Sequence, residues 1–194
     1  IRLRNFAFEA GVQFNKTFND VHTVLAGGTY SFQQKFNSIQ SNYLLMLYNT
    51  SGGYIVDTNN YSIDSSATVT LPGKFSVGLS YQFKNRLKTY FEFSSRNWTN
   101  YKESGNSVSV FTNANIYRAG VSYAHNPDNL RRGTLLSYLG RIEVRAGAYL
   151  DEGNLIFNGD QIEQKALTLG IGLPFGNTGT TFNISYELGS RATT

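Results

Sequence analysis

Apolar and polar residues alternate along most of this chain. From Phe75 to Phe83 the period is two without a break. Phe75, Val77, Leu79, Tyr81 and Phe83 fall on one face, and Ser76, Gly78, Ser80 and Gln82 on the other. Such alternation predicts a strand with one apolar and one polar face, here over residues 71–84. The pattern recurs on both sides. Residues 4–15 set Phe6, Phe8, Ala10, Val12 and Phe14 against Ala7, Glu9, Gly11 and Gln13, and residues 20–33 set Val24, Ala26, Gly28, Tyr30 and Phe32 against Thr23, Leu25, Gly27 and Thr29. Further strands are predicted over 87–97, with Phe91 and Phe93 opposite Tyr90 and Glu92, and over 114–125, with Tyr117, Ala119, Val121 and Tyr123 opposite Arg118 and Gly120. Over 136–150, Gly140, Ile142, Val144, Ala146, Ala148 and Leu150 alternate with Arg141, Glu143, Arg145, Gly147 and Tyr149. Two last strands are centred on Leu167–Phe175 and Phe182–Gly189.

Eight strands leave seven connections, and their lengths alternate. They are short at 16–19, long at 34–71, short at 85–86, long at 98–113, moderate at 126–133, long at 151–164 and short at 176–179. Outer-membrane barrels show this alternation, with short turns on one side and long loops on the other. The apolar run Tyr43-Leu44-Leu45-Met46-Leu47-Tyr48 does not alternate, and loop parity assigns it to the 34–71 excursion. Its Leu44, Leu45, Met46 and Leu47 are candidates for a hydrophobic ligand entry.

The faces sort by charge. With the aromatic faces placed outward, the opposite face carries Glu9, Glu92, Arg118, Arg141, Glu143, Arg145 and Glu187, which become candidates for lining a polar lumen. A lipid-facing Arg or Lys at mid-bilayer costs roughly 2–4 kcal/mol, and sorting the charges onto one face avoids that cost. The competing arrangement is a soluble β-sandwich with the aromatic faces inward and the charged faces solvated.

Composition narrows the class. Of 194 residues, 13 are Tyr and 14 Phe, one is Trp and 19 are Gly, a mixture that favours strands and turns. No stretch approaches the roughly 20 apolar residues of a membrane helix. With no Cys there is no disulfide or thiolate metal site. The net charge of +4 is dispersed, with Arg131-Arg132 the one basic doublet, so nucleic acid is not an expected partner. His22 and His125 have no ligand spacing, and the acids Asp151, Glu152, Asp160 and Glu163 read as a solvated loop. No enzyme motif and no cofactor is expected. The chain opens on Ile1, not Met, and closes just past a strand, which reads as one barrel domain over 1–194, cut at both ends.

Several segments resemble the FadL long-chain fatty acid transporter family. They are Leu71-Pro72 ahead of Phe75-Ser76-Val77-Gly78-Leu79-Ser80-Tyr81, then Asn97-Trp98-Thr99-Asn100-Tyr101, Tyr117-Arg118-Ala119-Gly120-Val121-Ser122-Tyr123, and Ala166 to Phe175. The resemblance implies a 14-stranded barrel gated by an N-terminal hatch, of which this chain would hold eight strands. It implies uptake of hydrophobic molecules such as long-chain fatty acids across a Gram-negative outer membrane. The expectation is therefore an all-β, transmembrane antiparallel β-barrel meander that takes up such molecules. The alternative is a structural or secretion-system-associated barrel subunit without transport. The expected partners are the lipid bilayer, a hydrophobic ligand or detergent, and other outer-membrane proteins.

Overall fold

The computed structural model describes residues 2–4, 6–42, 46–50, 53–57, 63–127, 135–175 and 180–193. Eight long strands form its body: β1 (Glu9–Phe18), β2 (His22–Ser31), β3 (Lys74–Phe83), β4 (Leu87–Arg96), β5 (Ala114–Ala124), β6 (Glu143–Asp151), β7 (Asp160–Phe175) and β8 (Thr180–Thr193). Each pairs antiparallel with the next in the chain, giving one sheet in sequence order. A meander needs only local connections, and short ones suffice where the turn chemistry is right. Between β1 and β2, Asn19 and Asp20 both take left-handed φ angles of 48° and 54°. Two such residues make the turn whose twist matches a β-hairpin, and Asn and Asp tolerate that conformation better than bulkier residues.

The register makes the two faces continuous across the sheet. One row runs Phe14, Ala26, Leu79, Phe91, Ala119, Ala148, Leu167 and Leu188. The rows on either side of it on the same face hold Val12, Val77, Phe93, Tyr117 and Leu150, and Val24, Tyr81, Val121, Leu169 and Tyr186. The charges of this apolar face are Lys16 and Lys165, each in a row next to the central one, and Glu163, one row further out. The opposite face is polar and rich in glycine.

Nothing among the described residues packs over either face. Among the described residues, Ala114, Ala124 and Ala166 are the buried apolar side chains, while Leu79 is 52% and Leu167 62% exposed. The chain exposes 14024 Å², where a folded soluble monomer of this mass exposes roughly 9,200 Å². A sandwich requires a second sheet packed on the apolar face, and the described residues supply none. The sheet is also open: β1 and β8 are its two edges and are not paired to each other. All-β architecture and the antiparallel meander hold, and a closed barrel is not formed by the described residues.

Four boundaries differ from the hydrophobic periodicity. β7 begins at Asp160, inside the loop expected over 151–164, so Asp160 and Glu163 are strand residues; Asp160 pairs with Phe157, and β8 extends to Thr193 and pairs Ala192 with Glu163. β1 runs over 9–18, not 4–15, because β2 offers partners only from Ser31 to His22; Phe6 and Phe8 lie ahead of the ladder. β6 begins at Glu143, since Leu135–Leu139 closes a short α-helix, α1, with Gly140 N–H donating to the Leu136 carbonyl at 3.0 Å. A short apolar run satisfies either period, so sequence alone does not decide between them. The 34–71 excursion is itself a ladder. Gln34–Asn42 pairs with Ile63–Leu71, prolonging β2 and β3 into an arm beyond a break at Phe32-Gln33 and Pro72-Gly73. Pro72 has no N–H to donate to the ladder. A Cβ on Gly73 would lie 2.9 Å from the Ser31 carbonyl oxygen, so the chain can turn there only with glycine. Arg2–Arg4 and the hairpin Lys102–Glu103/Asn106–Ser107 add to the arm's two sides, forming a second, five-stranded sheet.

Candidate functional site

The polar face of the main sheet, whose eight long strands are joined by the short strand Ile156–Phe157 beside β7, carries the interacting charged side chains. Six of the seven residues singled out from sequence lie on it, at positions fixed by strand register. Glu92 and Arg118 are direct partners across β4 and β5 and form a 3.0 Å ion pair. Arg145 and Glu143, two apart on β6, pair at 2.9 Å. Ser31 donates to Glu9 across β1 and β2. Glu187 of β8 accepts a 3.0 Å hydrogen bond from the Tyr149 hydroxyl of β6. Arg141 stands apart, in the turn before β6, with its guanidinium 5.7 Å from the Tyr138 ring centre.

Long side chains on this face reach over one strand to the next but one. Tyr149 does so over β7 to Glu187, and also accepts from Gln164 Nε2 at 2.7 Å. Arg145 passes over the glycines of β7, donating through Nη1 to Asn183 of β8 at 3.0 Å. A Cβ at Gly172 would meet both Arg145 and Asn183 within 3.4 Å. Tyr90 of β4 lies flat on Gly120 of β5, with its hydroxyl reaching Gly147 of β6. Glycine in a strand interior weakens it unless something approaches closely; here the approaching groups are Tyr90 and Arg145. Sequence alternation puts Tyr90 and Tyr149 on the polar face but says nothing of their reach. The signal that could have found them is glycine at 120, 147, 170 and 172 on strands adjoining those long residues.

At the long-loop end, the segments 97–113 and 152–159 fold onto each other. Thr112 N–H donates to the Asn154 carbonyl at 3.0 Å, and Ile156 N–H to that of Val110 at 2.9 Å. Trp98 stacks on Phe111 at 5.6 Å, and Phe111 meets Tyr101 edge-on at 4.9 Å. Beneath them is a hollow of about 240 Å³ lined by Trp98, Ile116, Asp151, Ile162, Gln164 and Arg191. The carboxylates of this loop serve it locally: Asp151 accepts from Gly153 N–H at 2.8 Å, and Glu152 from Asn115 Nδ2 at 2.6 Å. Among the described residues no three His, Asp or Glu side chains gather as a metal site.

The proposed hydrophobic entry is placed differently from the polar face. Leu44 and Leu45 lie outside the described residues. Met46 and Leu47 belong to the strand Met46–Thr50, paired with Gly53–Asp57 in a separate two-stranded sheet within the arm excursion. A separate apolar hollow, about 790 Å³, lies on the apolar face of the sheet. There the small residues Ala10, Ala26 and Gly28 sit between Phe14, Tyr30 and Phe75. His22, at the rim, shares a 2.8 Å hydrogen bond with the Tyr81 hydroxyl, and His125 contacts the Tyr123 hydroxyl at 3.3 Å.

Comparison with known proteins gives one match: the BamG family model covers residues 1–194. No curated protein and no solved structure matches. The match overturns the resemblance to FadL transporters. The segments behind that resemblance have a physical explanation without common ancestry. Glycine faces the polar side where side chains cross, tyrosine closes strand ends, and proline interrupts a ladder; any strand in this setting selects for them. With the model spanning all 194 residues, the chain belongs to the BamG family.

Proposed function

We propose that this chain is a non-catalytic, membrane-embedded β-sheet subunit associated with the outer-membrane protein assembly (BAM) machinery of Gram-negative bacteria. It serves there as a protein partner and not as a conduit for hydrophobic small molecules. The observation that carries this reading is the family match over residues 1–194, because the family's name ties it to that machinery. The geometry supports it in two ways. Eight residue steps from Phe75 to Phe83 measure about 27 Å along the strand, or about 20 Å normal to a membrane at a 40° tilt, close to the ~25 Å apolar band of outer-membrane strands. Among the described residues, β1 and β8 are edges with no strand beyond them, and such edges carry backbone N–H and C=O groups that hydrocarbon does not tolerate unpaired. In this reading other strands of the assembled protein or complex cover them, and the sheet is one wall of a barrel.

The test is a tagged full-length protein, solubilised in mild detergent from its own outer membranes, together with a depletion strain. The reading requires the central component of the assembly machinery to co-purify in stoichiometric amount, and depletion to lower the folded fraction of unrelated outer-membrane barrels. Isolation free of that component, with a selective loss of long-chain fatty acid uptake on depletion, would overturn it.

A further inference from the structure

The short-turn end of the sheet is built as a ledge. Lys84 N–H of the β3–β4 turn donates to the Val21 carbonyl of the β1–β2 turn at 2.6 Å. Ala124 N–H, closing β5, donates to the Arg86 carbonyl at 2.8 Å, and Asn126 N–H to the Gly140 carbonyl beyond α1 at 2.6 Å. Three connections are thus tied into one continuous rim, where isolated hairpins would move independently.

The rim has a consistent chemistry. Lys84 and Arg86 are exposed at its centre, and Lys16 is exposed at its edge. Lys16 lies over Phe18 at 6.0 Å, Lys84 over Phe83 at 5.6 Å and Arg141 over Tyr138 at 5.7 Å, so three of the cations at this end of the sheet ride on aromatic rings. Asp20 is the acid of the described turn residues. Glu143, just inside, is held by Arg145. At the same end α1 exposes Leu135 and Leu136, at 73% and 81%.

We infer that this ledge is a seat for the anionic headgroups of a phospholipid leaflet. The inference rests on the membrane reading of the apolar face and adds the class of lipid that its rim selects. Cations above aromatic rings, with apolar side chains exposed alongside, match the order of a bilayer interface, where phosphates overlie the acyl boundary. A soluble acidic protein would be met by the same cations, but it offers no apolar layer for Leu135 and Leu136 or for the band below Phe18 and Phe83. The lipid source is therefore the leaflet, by charge complementarity and by continuity with that band. Each exposed cation near an anionic surface strengthens attraction about fivefold.

The test uses the full chain, purified in a neutral detergent and exchanged into nanodiscs of equal phosphatidylcholine and phosphatidylglycerol, with retained lipids counted by native mass spectrometry. Phosphatidylglycerol enrichment of at least about 20-fold at 0.1 M salt is expected, falling by about 20-fold in K84Q/R86Q and kept in K102Q/K165Q at the other end. Parity in the wild-type protein, or equal loss in both variants, would overturn the inference. Should K84Q/R86Q fail to fold, a salt titration of the wild type decides: enrichment unchanged between 0.1 and 1 M salt refutes headgroup attraction, because the Debye length falls from about 10 to 3 Å. Failure to enter discs of any composition would instead refute the membrane reading itself.

Discussion

Gly120 decides the position of Tyr90, and replacing it makes a signed prediction. An alanine Cβ at 120 would lie 2.2 Å from Tyr90 Cζ, 2.3 Å from its hydroxyl and 2.5 Å from Cε1. Carbon contacts are favourable only at about 3.5–4.0 Å, so the ring must lift off the sheet or leave its rotamer. Leaving the rotamer costs about 0.5–1.5 kcal/mol, and losing the cross-strand contact about 0.2–1 kcal/mol more. Against this, alanine is better than glycine in a strand interior by roughly 0.5–1 kcal/mol. G120A should therefore destabilise the protein by about 1 kcal/mol. In a Y90A background the clash is gone, and the same substitution should stabilise by about 0.5–1 kcal/mol. The double-mutant coupling is then about 1.5–2 kcal/mol, well above the few tenths expected of unlinked sites. Urea unfolding in lipid vesicles measures it, with the chain's one tryptophan, Trp98, as reporter. At a slope of about 2 kcal/mol per molar urea, the midpoint moves about 0.5 M downward in the first case and about 0.3–0.5 M upward in the second. A shift of the same sign in both backgrounds would show that Tyr90 does not lean on Gly120.

Two further substitutions examine other parts of the fold. L79R, at the middle row of the apolar face, should cost about 2–4 kcal/mol in vesicles, whereas S80R on the next residue and the polar face should cost at most about 1 kcal/mol; equal costs would refute the assignment of faces. G153A places a Cβ 2.1 Å from the Ile162 carbonyl oxygen at a residue with φ of 66°. Because backbone has to yield, a loss of about 2 kcal/mol or more is expected, together with faster proteolysis between residues 152 and 159; an unaltered cleavage rate would show that the loop does not depend on that turn.

The strand faces and the turn at 85–86 are legible because each is a local property; the turn expected at 16–19 forms at 19–21, and the one at 176–179 lies outside the described residues. Period two fixes which residues share a face, so Glu92 and Arg118 could be placed on the polar side before their partners were known. Strand ends were not local. β1 begins where β2 can pair with it, and the helical turn at Leu135–Leu139 reads equally well as a strand start. The arm is not legible because 34–42 is polar on both faces; 63–71 alternates, with Ile63, Ala67, Val69 and Leu71 on one parity, but its partner strand lacks the contrast that would pair with it.

The family was misread for a related reason. Strand motifs report the environment of a strand and not its ancestry, whereas the family match draws on all 194 residues together. By itself the sequence determined an all-β antiparallel meander of eight long strands, with most strand charges on one face, because side-chain alternation and turn chemistry act over two to four residues. Tertiary structure alone decided that, among the described residues, β1 and β8 remain unpaired edges and that Tyr90, Tyr149 and Arg145 reach across neighbouring strands. It also decided that three separate turns form one cationic ledge. Each of these depends on which strands lie side by side and in what register, and pairing between distant segments is not written in the periodicity of either one.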